Sequence, residues 1–197
     1  MGILLWMRHY GYLRGHFRRE GLFRRSVMKR FFEVNRDIFL RTLCLVAVTL
    51  FFTSAGAGQG EIILAVNTLL MQLFTLYSYI MDGFAYAGEA LSGKYIGAGD
   101  RTSFSTTIRR LFGWGAVMTL LFTATYALGG QGFLNLLTDD PSVTEAATHF
   151  FGWALLIPTA GLAAFIWDGV YIGATYTRGM LQAMGVAAAL FFLLFFC

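Results

Sequence analysis

The sequence predicts an all-α fold, namely a polytopic transmembrane helix bundle with about four complete spans and a truncated fifth. The first observation is composition: apolar residues make up 57% of the chain and charged residues 13%, whereas an average soluble domain has about 45–50% and about 25%. The second is a series of apolar segments, each of at least roughly the 20 residues that a helix needs to cross a bilayer. The third is the placement of the 15 Lys and Arg residues, which avoid every second turn between these segments. Together these observations exclude an ordinary soluble domain.

The first two predicted helices lie on either side of a glycine-rich turn. One helix covers about 38–55 and ends before Gly56-Ala-Gly-Gln-Gly60, and the next covers about 61–97. The second is longer than one crossing requires. We therefore expect it to tilt, to break at Gly83 or Gly88, or to project past the membrane at its inner end.

Three further helices are predicted at about 103–128, 143–178 and 180–197. The pair Gly129-Gly130 is expected to end the first of them, which leaves 133–137 as a short interfacial piece. Ser142 is the predicted N-cap of the next, since Glu145 follows three residues later. Pro158 is expected to kink that helix.

The predicted domain organisation has two parts. Residues 1–35 form a cytoplasmic basic linker that includes the end of a preceding helix, and residues 36–197 form the transmembrane bundle. The basic residues set the orientation, because short loops rich in Lys and Arg stay in the cytoplasm. The turns near 58 and 135 carry none, so they face outside, and the N-terminal basic arm faces the cytoplasm. The positions are Arg8, Arg14, Arg18, Arg19, Arg24, Arg25, Lys29, Arg30, Arg36, Arg41, Lys94, Arg101, Arg109, Arg110 and Arg178.

A polar stripe on the second predicted helix gives the main candidate site. Its members follow at steps of seven, four and three, which places them on one helix face. They are Glu61, Thr68, Gln72, Thr75, Tyr79, Asp82, Tyr86 and Glu89. Polar groups facing lipid are costly, so the stripe should face other helices or a water-filled cavity. Hydrogen bonding between helices for assembly is the alternative to a transport role.

The fourth predicted helix repeats the pattern on a smaller scale with Asp168 and Tyr171. Both Asp82 and Asp168 precede a glycine, and small side chains let neighbouring helix backbones approach closely. Arg41 lies one turn into the first helix. It is interpreted as a structural or lipid-anchoring residue that extends to the headgroups, with a pair to Asp37 or a transport role as alternatives.

Other classes of function lack support in the sequence. Cys44 and Cys197 show no metal-ligand spacing. We find no nucleophile with a neighbouring base, no phosphate loop and no cofactor motif, so the chain is not expected to be an enzyme. The positive charge lies beside apolar helices, so anionic lipid explains it better than nucleic acid does.

Seven short stretches carry a resemblance to a known family. They are Asn35–Leu43, Leu70–Gln72, Asp82–Ala90, Tyr95–Ala98, Trp114–Gly115, Leu137–Asp139 and Trp167–Thr175. In these the chain resembles the multidrug and toxin extrusion (MATE) family, specifically its DinF-type branch. The resemblance implies a C-terminal lobe, comprising helices 7 to 10 and part of helix 11 of twelve, with the N-terminal lobe missing. It also implies the bacterial cytoplasmic (inner) membrane.

The function implied by the resemblance is secondary antiport, in which H+ or Na+ enters while a small lipophilic or cationic compound leaves. The candidate cavity-lining residues are then Gln72, Thr75, Tyr79, Asp82, Tyr86, Glu89, Asp168 and Tyr171. No cofactor beyond the coupling ion is implied. Two alternatives remain: a lipid-linked precursor flippase of the same superfamily, whose cavity would be more cationic, and a non-transporting truncated remnant.

Overall fold

The computed structural model describes residues 25–196, apart from the side chain of Gln131. The first 24 residues, with most of the predicted basic arm and the end of a preceding helix, lie outside the described residues, as does Cys197. The described residues form five helices and no strand, which confirms the predicted all-α class, and all five are long and apolar enough to cross a membrane. The helices are α1 (Arg25–Ala57), α2 (Glu61–Gly97), α3 (Arg101–Leu137), α4 (Pro141–Gly173) and α5 (Thr177–Phe196).

The apolar core lies among α2, α3 and α4. It consists of three clusters along the length of these helices, with α2 packed most extensively on α4. One buried layer contains Tyr77, Met81, Leu111, Ile166 and Val170. The outer two helices, α1 and α5, pack mainly on each other.

The α2–α4 contact is a crossing of backbone on backbone. Gly169 lies so close to α2 that an added Cβ would collide with the carbonyl of Ala85, and Gly173 meets the carbonyl of Glu89 in the same way. Glycines four residues apart form the small-residue motif that lets membrane helices approach closely. The glycine of the other Asp-Gly pair, Asp82-Gly83, makes no such close contact, because nothing lies within 4 Å of its Cβ position.

Tertiary contacts extend two helices beyond their predicted ends. The helix α3 continues through Gly129 and Gly130 to Leu137, so the predicted helix end and the separate interfacial piece at 133–137 are wrong. Leu134 is 1% exposed and packs in a core cluster, and the rings of Tyr126 and Phe133 lie 5.7 Å apart. These contacts outweigh the low helix propensity of glycine. Similarly, α1 is already helical at Arg25, the first described residue, which lies well inside the predicted linker. Its Arg30 contacts Thr175 of the α4–α5 turn.

A Schellman turn ends α4 at Gly173, five residues before the predicted end. The amide of Tyr176 donates to the carbonyl of Tyr171 and the amide of Thr175 to that of Ile172, both at 2.9 Å. Such a turn requires a left-handed residue, usually glycine, and here Thr175 takes that conformation with φ 54°. The guanidinium of Arg30 donates to the Thr175 hydroxyl at 2.9 Å, which holds the turn against α1. Consequently α5 begins at Thr177 instead of near residue 180.

The N-cap of α4 is Asp140, and the prediction of Ser142 is wrong. Proline favours the first position of a helix, so Pro141 makes the preceding residue the cap. The carboxylate of Asp140 accepts hydrogen bonds from the Ser142 hydroxyl at 2.6 Å and from its backbone N–H at 2.9 Å. These two bonds hold the pKa of Asp140 below its usual 3.8.

This cap gives the helix an acid-sensitive end. Because the pKa of Asp140 is lower in the folded state, its stabilising contribution is complete above the unfolded value of 3.8 and is lost as the pH falls through the folded value. We expect Asp140→Asn to have a lower melting temperature than the unsubstituted chain near neutral pH. The difference between the two melting temperatures should narrow below about pH 4. Thermal denaturation in detergent at several pH values measures this. The exposed neighbour Asp139 offers the control, since Asp139→Asn should have the same melting temperature as the unsubstituted chain at every pH.

Candidate functional site

Asp82 and Glu89, two of the three α2 carboxylates of the polar stripe, lie near Asp168 of α4. Asp82 and Glu89 lie close enough to Asp168 to act on it electrostatically. All three side chains are half-buried. We call Asp82, Glu89 and Asp168 the carboxylate cluster. The sequence pattern predicts Asp82 and Glu89 on one face of α2, and the close approach at Gly169 and Gly173 brings α4, with Asp168, against that helix.

A guanidinium from α1 contacts this cluster. Arg41 Nη2 lies 2.6 Å from Asp168 Oδ1, and each of the two side chains is 26% exposed. Arg41 is therefore an interhelical ion-pair partner, and its predicted contact with the lipid headgroups stays a prediction. It does not pair with Asp37 either, because that carboxylate is bound by Arg36 at 3.0 Å and by the Thr177 hydroxyl at 3.1 Å. The local charge is three carboxylates against one guanidinium.

The remaining stripe residues lie on a face of α2 that the other described helices leave largely open. Tyr79 is 72% and Tyr86 68% exposed, and Gln72 is exposed as well. Thr75 donates its hydroxyl to the carbonyl of Met71 at 2.8 Å, so its polarity is satisfied within its own helix. The core-facing side of α2 is the opposite one, with Tyr77 fully buried.

Tyr171 and Pro158 occupy different surroundings on α4. Tyr171 lies in a cavity of about 230 Å³ beside the Arg41–Asp168 pair, and its ring lies 5.9 Å from that of Trp167. Pro158 is buried inside α4, and its carbonyl accepts a hydrogen bond from the Tyr77 hydroxyl at 2.8 Å. The bend expected at Pro158 stays a prediction.

An aromatic groove between the C-terminal part of α1 and the N-terminal halves of α2 and α4 was not found from the sequence. Its volume of about 500 Å³ lies within the usual range for small-molecule sites. Asn67 is its one polar residue, and its side-chain amide lies against Gly56. The signal was present as apolar and aromatic residues at helical spacing on α2 and α4. The lining consists of Phe52, Asn67, Leu70, Met71, Phe74, Phe150, Trp153 and Ile157.

Comparison with known proteins places this architecture in a family. The family model described as MatE matches residues 38–196. The chain belongs to the MatE family. This membership confirms the resemblance found in the sequence, and MatE proteins are transporters and not enzymes.

Relatives of known name agree with the MatE assignment. The chain is 38% identical to DNA damage-inducible protein F of Escherichia coli over 165 residues, which cover 84% of this chain and 36% of that protein. It is 24% identical to Protein DETOXIFICATION 42 of Arabidopsis thaliana over 74% of this chain and 29% of that protein. The chain thus spans about a third of the length of these relatives. No solved structure gives a significant match.

Proposed function

We propose that this MatE chain is the C-terminal lobe of a secondary antiporter that exports lipophilic or cationic compounds in exchange for H+ or Na+. It would act together with an N-terminal lobe in the bacterial inner membrane, with the start of α1 in the cytoplasm. The observation that carries the proposal is the half-buried carboxylate cluster, which lies on two closely crossing helices of a bundle long and apolar enough to span a membrane. Ionisable groups at such positions mark ion and substrate pathways.

The negative charge of the carboxylate cluster provides a basis for exchanging an ion for an exported compound. Three carboxylates beside a single guanidinium leave an excess of negative charge in a half-buried site. A carboxylate of this kind holds a proton, a metal cation or an organic cation, and binding of one disfavours the others because each neutralises the same charge. Competition for one carboxylate couples inward movement of the ion to outward movement of the compound when the site opens alternately to the two sides of the membrane.

The aromatic groove supplies a surface for the lipophilic part of a transported compound. Asp82 lies eight residues beyond Phe74 on α2, which corresponds to roughly 12 Å along the helix. A cation with an apolar body of that length would reach both. The excess of carboxylates also argues against the flippase alternative, whose anionic substrate requires a cationic cavity.

Replacement of the α2 carboxylates tests this function. Residues 38–196 would replace the matching segment of the E. coli relative, and efflux of a fluorescent organic cation from cells that lack their own exporters would be measured. We expect Asp82→Asn and Glu89→Gln each to lower the efflux rate about tenfold at equal membrane abundance, since a tenfold effect needs only about 1.4 kcal/mol of lost cation attraction.

A matched control and the unjoined chain complete the experiment. Asp139→Asn removes the same charge from the exposed outer turn and should leave efflux unchanged. Normal efflux in both α2 variants would overturn the role of these carboxylates. Absence of efflux from the unjoined chain, combined with efflux from the hybrid, would show that transport requires both lobes. Absence of efflux from both would support the non-transporting remnant.

A further inference from the structure

The five helices are divided unequally by their packing. All three apolar core clusters among the described residues are built from α2, α3 and α4, which we call the three-helix unit. The helices α1 and α5 form a two-helix unit that contributes to none of them. On α1 only Asp37 and Gly56 are buried, and on α5 only Thr177 and Met180.

The two-helix unit is held together at both ends. At the outer end, the ring of Phe51 lies 5.1 Å from that of Phe192 and 4.7 Å from that of Phe195, measured between centroids. At the inner end, the Thr177 hydroxyl donates to the buried carboxylate of Asp37 at 3.1 Å. These contacts lie within the unit, so they do not fasten it to the core.

The connections between the two units are few. The chain joins them by the turn at residues 58–60 and by the turn at 174–176, at opposite ends of the bundle. Each turn contains a residue with positive φ, 109° at Gly60 and 54° at Thr175. Among the ion pairs of the described residues, Arg41–Asp168 is the one that joins the two units, since the others lie within the two-helix unit.

A cavity of about 230 Å³ lies between the units at this ion pair. Trp167 and Tyr171 line it from the three-helix unit, and Met180 and Met184 line it from the two-helix unit. The cavity is partly open to the surroundings, so the two units leave a gap at the position where the ion pair holds them together.

We propose that the Arg41–Asp168 ion pair is a latch between two helix units that move relative to each other. When the pair breaks, the two-helix unit swings about the two turns, and the cavity between Trp167 and Met184 widens. The partners of the latch are single charged groups 2.6 Å apart, so neutralising either one releases it. The proposal concerns motion within this chain and does not depend on the proposed transport.

Distances between spin labels test the latch directly. The chain would be placed in lipid nanodiscs with Cys44 and Cys197 replaced by serine and labels attached at Leu120 of α3 and Leu190 of α5, which are 68% and 54% exposed. We expect a single narrow distance distribution in this background. Arg41→Gln and Asp168→Asn should each replace it with longer, broader distances.

One further label pair and two variants serve as controls. Labels at Leu50 and Leu190 lie within the two-helix unit, and their distance should not change in any variant. Lys29→Gln removes a positive charge of α1 that pairs with Glu33 inside the same helix, so it should leave every distance unchanged. The charge swap Arg41→Asp with Asp168→Arg should restore the narrow distribution of the unsubstituted chain.

The outcomes separate the latch from a general loss of structure. An unchanged distance between α3 and α5 in Arg41→Gln and Asp168→Asn would overturn the proposal. Broadening within the two-helix unit as well would also overturn it, because the variants would then disrupt folding instead of releasing one contact. If the spin-label distances lengthen as expected but the α2 variants retain normal efflux, the transport proposal is rejected and the latch is not.

Discussion

Gly169→Ala is expected to destabilise the chain by about 1–3 kcal/mol, the usual cost of forcing extra atoms into a packed contact. The added methyl group would meet the backbone carbonyl of Ala85, which cannot move aside as a side chain can. The α2–α4 crossing would have to separate, and the carboxylate cluster would separate with it. Thermal unfolding in detergent, followed by tryptophan fluorescence, measures the loss.

The second Asp-Gly pair provides a matched control for this prediction. Gly83 has the same preceding residue and also lies inside a membrane helix, but nothing lies within 4 Å of its Cβ position. Gly83→Ala should be neutral or stabilising by up to about 1 kcal/mol, because alanine favours the helix. Equal melting temperatures for the two variants would show that the close approach at Gly169 contributes little.

Removing one partner of the Arg41–Asp168 pair is expected to have the next largest effect. Breaking a buried ion pair leaves an uncompensated charge and costs about 3–5 kcal/mol. Each side chain here is 26% exposed, so water compensates part of the loss and we expect about 1–3 kcal/mol for Asp168→Leu alone. Chemical denaturation in mixed micelles measures the difference.

A double-mutant cycle separates the pair from its surroundings. Arg41→Met together with Asp168→Leu should recover much of the stability that either single variant loses, because neither charge is then left unpaired. A non-additive effect of about 1 kcal/mol or more would establish the coupling. Strict additivity of the two single effects would show that the ion pair does not stabilise the fold.

The sequence predicted the number and type of the helices because each apolar run is long enough to cross a bilayer. It failed at helix ends where distant residues decide the conformation. Gly129-Gly130 has the composition of a helix end, but Leu134 and Phe133 are held in helical conformation by the core. The glycine pair carries no information about those contacts, so the pattern alone gave the wrong boundary.

The sequence predicted which residues share a helix face, but not which residues of different helices meet. Helical spacing placed Asp82 and Glu89 on one side of α2, but it could not show which residues meet Asp168. Nor could it show that Arg41, far away along the chain, supplies the guanidinium. Gly83 and Gly169 follow aspartate in the same way and yet occupy opposite environments. Only the three-dimensional packing distinguishes them.

The pairing of α1 with α5 has a consequence for biosynthesis. Asp37 and Thr177 are separated by 140 residues, so at roughly 5–20 residues per second the ribosome needs about 7–28 s to deliver the second partner after the first. During that interval α1 has entered the bilayer with its buried carboxylate still without its hydroxyl donor. Among the described helices, α1 therefore acquires its main neighbour only when α5 emerges.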